Sequence, residues 1–386
     1  LFTNRKLLLD KYSNSFNLPI ERVKEYAKYS VLFHDYGKSY DRWQKHCKSN
    51  NLQNVDLRHE YIYTNQIINF LEKKLQYSHD EILLILISIF SHHNNLSTDI
   101  TKLSKITNTQ LRNESLSNIN ICNFNGNLLN LIRYGLNDTI TGDRYDLWYK
   151  TTLYRYALQF CDKRASIKEE YPNICLPKID NFKYEFTYEN KKHFQQICED
   201  NWNEEIFILR APTGGGKTIA GLLWAKKQID NNKADRIVFA MPTQFTSNAI
   251  TKSILDIIDS SATTQHSNSK YNYNINQWYY NKILESSVNI CTIDHILHAL
   301  TLSTEQQHST LFNFCNSCLI IDEADFYDNF ILANIIELLK FCRKMKIPVL
   351  IMSATFPDSF KRLLSNEFNN IRMEDDTSDI YRKAHV

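Results

Sequence analysis

The chain has 386 residues, 43% hydrophobic and 23% charged, with 45 basic against 43 acidic side chains and a formal net charge of +2. That is a globular composition long enough for two or three domains, and the longest apolar run, Ile82–Phe90 with Ser88 inside it, is far short of the roughly 18 residues of a membrane span. The balanced charge neither requires nor excludes nucleic acid, no leader pattern opens the chain, and nine irregularly spaced cysteines fit a reducing cytoplasm.

The first 165 residues read as helical. Helix-length apolar patterns cover 20–35, 57–75, 80–91 and 145–165. Asp56 and Asp143 stand where N-caps belong, and Ser78 precedes the third pattern with His79 and Asp80 in its first turn. Residues 94–142, rich in Asn, Thr and Ser, read as loop with short helices. Ser166–Asn190, containing Pro172 and Pro177, reads as a linker. Beyond it, short apolar runs at Ile206–Leu209, Ile237–Ala240, Val288–Cys291, Leu319–Ile321 and Val349–Met352 predict buried strands. Helical patterns follow at Thr218–Ile229, Thr246–Ile258, His295–Leu300 and Asn329–Lys344. This alternation predicts a parallel α/β sheet. Cys315 and Cys318 form a C-x-x-C with no second pair, which reads as buried thiols rather than a zinc site.

Of only eight glycines, Gly214, Gly215, Gly216 and Gly221 fall in one short stretch. It lies between a predicted strand and a predicted helix, in Ala211-Pro-Thr-Gly-Gly-Gly-Lys-Thr218, the setting of a phosphate-binding loop. Glycines let backbone N–H groups curl around phosphate oxygens, and the helix N-terminus adds its dipole. Lys217 would reach the β and γ phosphates, and the Thr218 hydroxyl would hold Mg²⁺. Asp322 and Glu323 follow the strand at 319–321, placing two carboxylates at the sheet's carboxyl edge. Asp322 would serve Mg²⁺ and Glu323 the attacking water. Thr243, Thr292, Ser353 and Thr355 stand at other strand ends, where hydroxyls and free N–H groups can hold a nucleic-acid backbone. Gly221 predicts close packing of helix on sheet.

The helical half carries its own set. His34 and Asp35 end an apolar helix, with Gly37 as its stop and Lys38 beyond. His59 lies at the start of the 57–75 pattern, and His92 and His93 end the most apolar helix. Asp162 shares a stripe with Thr151, Tyr154 and Leu158. Imidazoles with carboxylates suit one or two transition-metal ions such as Fe, Mn, Co or Ni. These could bind a scissile phosphate and generate hydroxide, with Lys38 neutralising phosphate charge.

Residues 190–360 resemble the first RecA-like lobe of superfamily 2 helicases. The matching residues are the loop 211–218, Asp322-Glu-Ala-Asp325 and Ser353-Ala-Thr355, with Gln195 placed like the adenine-reading glutamine. His34-Asp-Tyr-Gly-Lys38, Arg58-His59-Glu60, Ser91-His-His93 and Asp162-Lys-Arg-Ala-Ser166 resemble the CRISPR-associated branch of the HD phosphohydrolases. The combined order resembles the helicase–nuclease of type I CRISPR interference.

The resemblance implies an all-helical HD nuclease domain over 1–165, a linker over 166–190, a RecA-like parallel-sheet lobe over 191–375 and a tail over 376–386. It makes Asp35, Lys38 and Glu323 catalytic. His34, Asp35, His59, His92, His93 and Asp162 become metal ligands. Gln195, Thr213, Gly214, Gly215, Gly216, Lys217, Thr218 and Asp322 bind ATP and Mg²⁺, and Thr243, Thr292, Ser353 and Thr355 contact DNA. It further implies ATP-driven movement on single-stranded DNA, recruitment by the guide-RNA surveillance complex Cascade, and a prokaryotic cytoplasmic setting. Two departures stand out. The family's additional metal-ligating His has no counterpart before His34, and only about 30 residues follow Ser353-Ala-Thr355, leaving the second RecA-like lobe to be supplied in cis or in trans. The competing readings are a small-nucleotide phosphohydrolase with a regulatory lobe and a non-catalytic DNA- or ATP-binding module.

Overall fold

The computed structural model describes residues 5–48, 59–61, 63–93, 143–170, 186–212, 214–257, 262–265, 282–302, 304–356, 358–369 and 371–376. The loop expected over 94–142 and the cap at Asp56 lie outside these. The chain divides into two compact units, one of residues 1–17, 179–301 and 310–386, the other of residues 18–178 and 302–309.

Among the described residues, the first unit is built on seven parallel strands: β1 Ile206–Arg210, β2 Arg236–Met241, β3 Ala262–Gln265, β4 Val288–Thr292, β5 Ser317–Ile321, β6 Val349–Ser353 and β7 Arg372–Asp375. Their order is β3-β4-β2-β5-β6-β1-β7. The five expected strands form its centre, because their apolar runs can be buried on both faces. Phe207, Leu209, Phe239, Ile320, Leu350 and Met352 share one core with Leu222 and Trp224 of the helix Lys217–Asp230. Gly221 of that helix faces the sheet. A Cβ there would lie 3.3–3.4 Å from Ile320, Met352 and Phe239, which bears out the expected close packing. Register places β5, β6 and β1 side by side, with Ile321 opposite Ile351 and Arg210 opposite Ser353. The segments leaving their carboxyl ends are therefore neighbours.

The helix Lys6–Phe16 belongs to this unit, although the expected boundary assigned 1–165 to the helical domain. Leu8, Leu9, Tyr12 and Phe16 are buried. Arg5, 2% exposed, donates to Asn313 Oδ1 over 3.1 Å and lies 3.6 Å from Asp235. These tertiary partners, 308 and 230 residues away along the chain, have no local sequence signal. Cys315 and Cys318 are free, buried thiols, each pushed up to about 12 by burial, as expected for a structural pair.

In the second unit the helices Ile20–Phe33, His79–Phe90 and Asp143–Glu170 pack on one another, with Thr64–Leu75 against His79–Phe90. Every residue from Ile82 to Phe90 is buried. Ser78 caps this helix reciprocally, accepting from Glu81 N while Glu81 Oε2 accepts from Ser78 N over 2.7 Å. The pattern expected over 57–75 is broken. His59–Tyr61 is a 3₁₀ turn, and Tyr63, at φ +63°, separates it from the helix. Gly37 is not a left-handed stop; it is buried in a 3₁₀ turn, Tyr36–Ser39. Asp143 begins its helix, and that helix runs to Glu170, into the expected linker. No helix among the described residues is long and apolar enough to cross a membrane.

Candidate functional site

In the helical unit, the ends of three elements meet. His34 follows the helix Ile20–Phe33, His59 opens its 3₁₀ turn, and His92 and His93 follow Phe90 by one residue. The rings of His34 and His92 lie 5.2 Å apart, those of His59 and His92 5.7 Å, and those of His59 and His93 5.4 Å. Each of three imidazoles is oriented by its Nδ1. His34 Nδ1 donates to Val31 O over 2.8 Å and His92 Nδ1 to Ile89 O over 2.5 Å. His59 Nδ1 lies 3.4 Å from Glu60 Oε2, a carboxylate 3% exposed. A carbonyl only accepts, so the Nδ1 atoms of His34 and His92 carry the protons and their Nε2 atoms present lone pairs when the rings are neutral.

The Nε2 atoms of His34 and His59 face carboxylates. His34 Nε2 is 3.3 Å from Asp35 Oδ2 and 3.6 Å from Asp162 Oδ1, and His59 Nε2 is 3.1 Å from Asp35 Oδ1. Nε2 of His34, His59 and His92 and Oδ1 of Asp35 are buried without a well-formed hydrogen bond. A His34 lone pair facing carboxylate oxygens calls for a shared cation, either a proton or a metal. The electrostatics agree. Burial disfavours the Asp35 charge, but His34, His59 and Lys38, whose Nζ is 2.6 Å away, outweigh it and hold the carboxyl far below its usual range. Burial opposes the proton on His34, yet Asp35, Val31 O and Asp162 raise its pKa. Burial and the neighbouring His93 push His92 down to about 3, keeping it neutral. Two overlapping ligand sets share His92, namely His34, Asp35 and His92, and His59, His92 and His93, with ligand atoms within 4.8 Å in each. The residues present therefore fit a transition metal, with second partners already orienting the first. The structure brings all six expected ligands and Lys38 into this one cluster.

In the α/β unit the loop after β1 carries Gly214 at φ +70° and Gly216 at φ +98°, left-handed backbone that only glycine adopts freely. Lys217, mostly buried, opens the helix, and Thr218 follows at its second position. Thr213 lies outside the described residues. Two side chains brace the loop from behind. Lys192 Nζ donates to Gly215 O over 2.7 Å, and Gln195 Nε2 to Gly216 O over 3.1 Å, while Gln195 Oε1 accepts from Lys192 N over 2.8 Å. Gln195 is 1% exposed, so its amide positions the loop here rather than facing a base. Lys192, three residues earlier, carries no recognisable signal in the sequence.

Asp322 is buried at the end of β5. Burial raises its pKa and the Lys217 charge opposes that rise. Glu323 sits at φ +54°, a strained conformation for its type. Burial and Asp322 raise its pKa too, the direction a general base requires. Ser353 departs from its expected role. It is fully buried, its hydroxyl donating to Asp325 Oδ1 over 2.5 Å and accepting from Asp325 N over 3.1 Å. A side chain committed inward this way ties β6 to the turn after β5 instead of facing nucleic acid. Thr355 Oγ1, exposed, joins it on Asp325 Oδ2 over 3.2 Å. Thr243 caps the helix Gln244–Ile257 by accepting from Thr246 N over 3.2 Å, and Thr292 stands at the start of the helix Ile293–Leu300 without a side-chain cap.

Residues 191–363 match the DEAD/DEAH box helicase family model. Among curated proteins, a protein of Methanocaldococcus jannaschii named as a CRISPR-associated nuclease/helicase Cas3 is 30% identical over 238 residues, 52% of this chain and 32% of its own length. The CRISPR-associated endonuclease/helicase Cas3 of Escherichia coli is 28% identical over 195 residues, 42% of this chain and 21% of its own. The chain thus spans about a third or less of these relatives. Among solved structures, T. fusca Cas3 with ATP superposes with a TM-score of 0.60 at 16% identity, over 94% of this chain and 47% of that one. A chain of a CRISPR RNA-guided surveillance complex before nicking gives 0.54 at 15% identity, over 94% and 44%. At these identities the superpositions establish the fold, an N-terminal helical region followed by a RecA-like sheet. The chain is thus similar to Cas3 proteins in sequence and in fold, and the match to the DEAD/DEAH box helicase model falls on its residues 191–363.

Proposed function

We propose that the helical unit is an HD-type, metal-dependent nuclease for single-stranded DNA and that the α/β unit is the ATP-binding half of the motor that feeds it. The observation that carries this reading is the convergence of His34 and His59 Nε2 on Asp35, with His92 in the same ligand set, in a chain whose other unit matches a DEAD/DEAH box helicase model. His34, Asp35, His59, His92, His93 and Asp162 would hold one or two transition-metal ions. When bound, such an ion supplies Lewis-acid polarisation of the scissile phosphate. Lys38, paired with Asp35, is placed to neutralise phosphate charge.

In the lobe, Lys217 and the backbone N–H groups at the start of its helix would hold the nucleotide phosphates. Thr218 and Asp322 would serve Mg²⁺, and Glu323 would take a proton from the attacking water. The Ser353–Asp325–Thr355 bonds tie the nucleotide-side turn to the strand-end surface that Thr243 and Thr292 share, offering a route for hydrolysis to move DNA. A second RecA-like lobe, in cis or in trans, would complete the motor. In this reading the protein acts in type I CRISPR interference in a prokaryotic cytoplasm, recruited by the guide-RNA surveillance complex Cascade.

The test is incubation with Mn²⁺ and either covalently closed single-stranded DNA or free nucleotides, with and without chelator. The proposal expects chelator-sensitive linearisation of the circle. Consumption of nucleotides with the circle intact would favour the small-nucleotide phosphohydrolase and overturn the nuclease reading.

A further inference from the structure

The helix His79–Phe90 ends in a dry interior. Its last nine residues are buried, as are Ser91 and His92 beyond it. Carbonyls at such an end lack intrahelical donors and are costly to leave unmatched. A side chain of another helix answers this need: Arg155, fully buried in Asp143–Glu170, donates through Nη2 to Ser91 O. A guanidinium also suits the negative end of the helix dipole. Ser91 is the hinge from which His92 and His93 project, their rings 3.9 Å apart. Arg155 stands seven residues, two helical turns, before Asp162, so both lie on the same helix face roughly 10 Å apart. Asp162 reaches His34 from that face and Arg155 reaches the backbone beside His92. One helix thereby sets both histidine-bearing ends.

We infer that Arg155 is a positioning residue for the metal centre, fixing the His92–His93 turn through Ser91 O; this rests on the metal-centre reading above. The role needs a buried, charged donor at one carbonyl. Lysine can supply the charge but only one of the guanidinium's several planar donors, so Arg155→Lys should retain part of the function and Arg155→Met none.

The experiment titrates Co²⁺ into the full chain, following the visible absorption of the bound ion, for the unaltered protein and both variants. Hydrogen exchange across 79–93 is measured in parallel. The expected result is a roughly 10–100-fold loss of Co²⁺ affinity in Arg155→Met, the usual cost of removing a group that supports ligands. Its absorption spectrum should alter, exchange should quicken at 91–93, and 82–88 should stay protected. Arg155→Lys should recover part of the affinity and the spectrum. An Arg155→Met protein with unaltered affinity and spectrum overturns the inference while leaving the metal centre standing. Loss of protection along the whole helix also overturns it, because Arg155 would then be a general stabiliser. No Co²⁺ absorption in the unaltered, folded chain overturns the metal centre itself, and the inference with it.

Discussion

One methyl group added at two glycines of the same helical segment has opposite consequences. Gly216 precedes the helix Lys217–Asp230 at φ +98°, ψ +36°, and left-handed backbone costs an L residue roughly 1–2 kcal/mol. A Cβ there would lie 2.9 Å from Gln195 Nε2, the atom that donates to Gly216 O. Displacing that amide forfeits about 0.5–1.5 kcal/mol more. Gly216→Ala should therefore disfavour the binding-ready loop by about 2–3 kcal/mol, or ~30–150-fold in ATP affinity. At Gly221 the added Cβ meets only the tips of Ile320, Met352 and Phe239, at 3.3–3.4 Å. Overpacking of about 1 kcal/mol is offset by the roughly 1 kcal/mol that alanine gains over glycine inside a helix. Gly221→Ala should leave both stability and ATP affinity near their unaltered values. Calorimetric titration with ATP and urea unfolding measure both. The reasoning is refuted if Gly216→Ala binds ATP as well as Gly221→Ala does.

Other outcomes follow from the same contacts. Arg5→Met removes a buried donor to Asn313 and a partner of Asp235, so urea unfolding should register a loss of about 1.5–3 kcal/mol; an unchanged midpoint would mean that the N-terminal helix does not brace the lobe. Ser353→Ala should destabilise the lobe by about 1–3 kcal/mol by leaving Asp325 N and Oδ1 unmatched, while ATP titration reads unchanged affinity. His295 is held neutral: burial, with the Lys282 and His298 charges, outweighs its bond to Lys282 O and pushes it down to about 4. Because the unfolded chain binds that proton nearer pH 6.5, the lobe should lose stability as pH falls from about 6.5 to 4, by at most about 3 kcal/mol. His295→Gln should flatten that part of the pH profile, and a profile identical to the unaltered protein's would contradict the assignment.

What local pattern could reveal, and what it could not, divides along physical lines. The five central strands were readable because burial on both faces demands continuous apolar runs. The outermost strands were not: Ala262–Gln265 and Arg372–Asp375 are polar or charged, as edge strands commonly are. The histidines and carboxylates at helix ends were visible as residue types, and their order along the chain suggested a common site. Their supports were not visible. Glu60, Arg155 and Lys192 act through contacts 1, 64 and 23 residues away, and only the first is local. Ser353 illustrates the converse. Its place at a strand end suggested an outward role, whereas the adjacent turn draws its hydroxyl inward to Asp325. The Tyr63 backbone likewise ended a helix pattern that the apolar spacing alone would have continued.

The central claim is that this chain holds two separable sites, a metal centre at His34, His59 and His92 and a phosphate loop at Lys217. The direct measurement compares His92→Ala and Lys217→Ala with the unaltered chain, following Mn²⁺-dependent linearisation of single-stranded circles and ATP binding on each protein. The account predicts that His92→Ala abolishes linearisation and keeps ATP binding, while Lys217→Ala does the reverse. Equal loss of both activities in either variant, or full linearisation by His92→Ala, would contradict it.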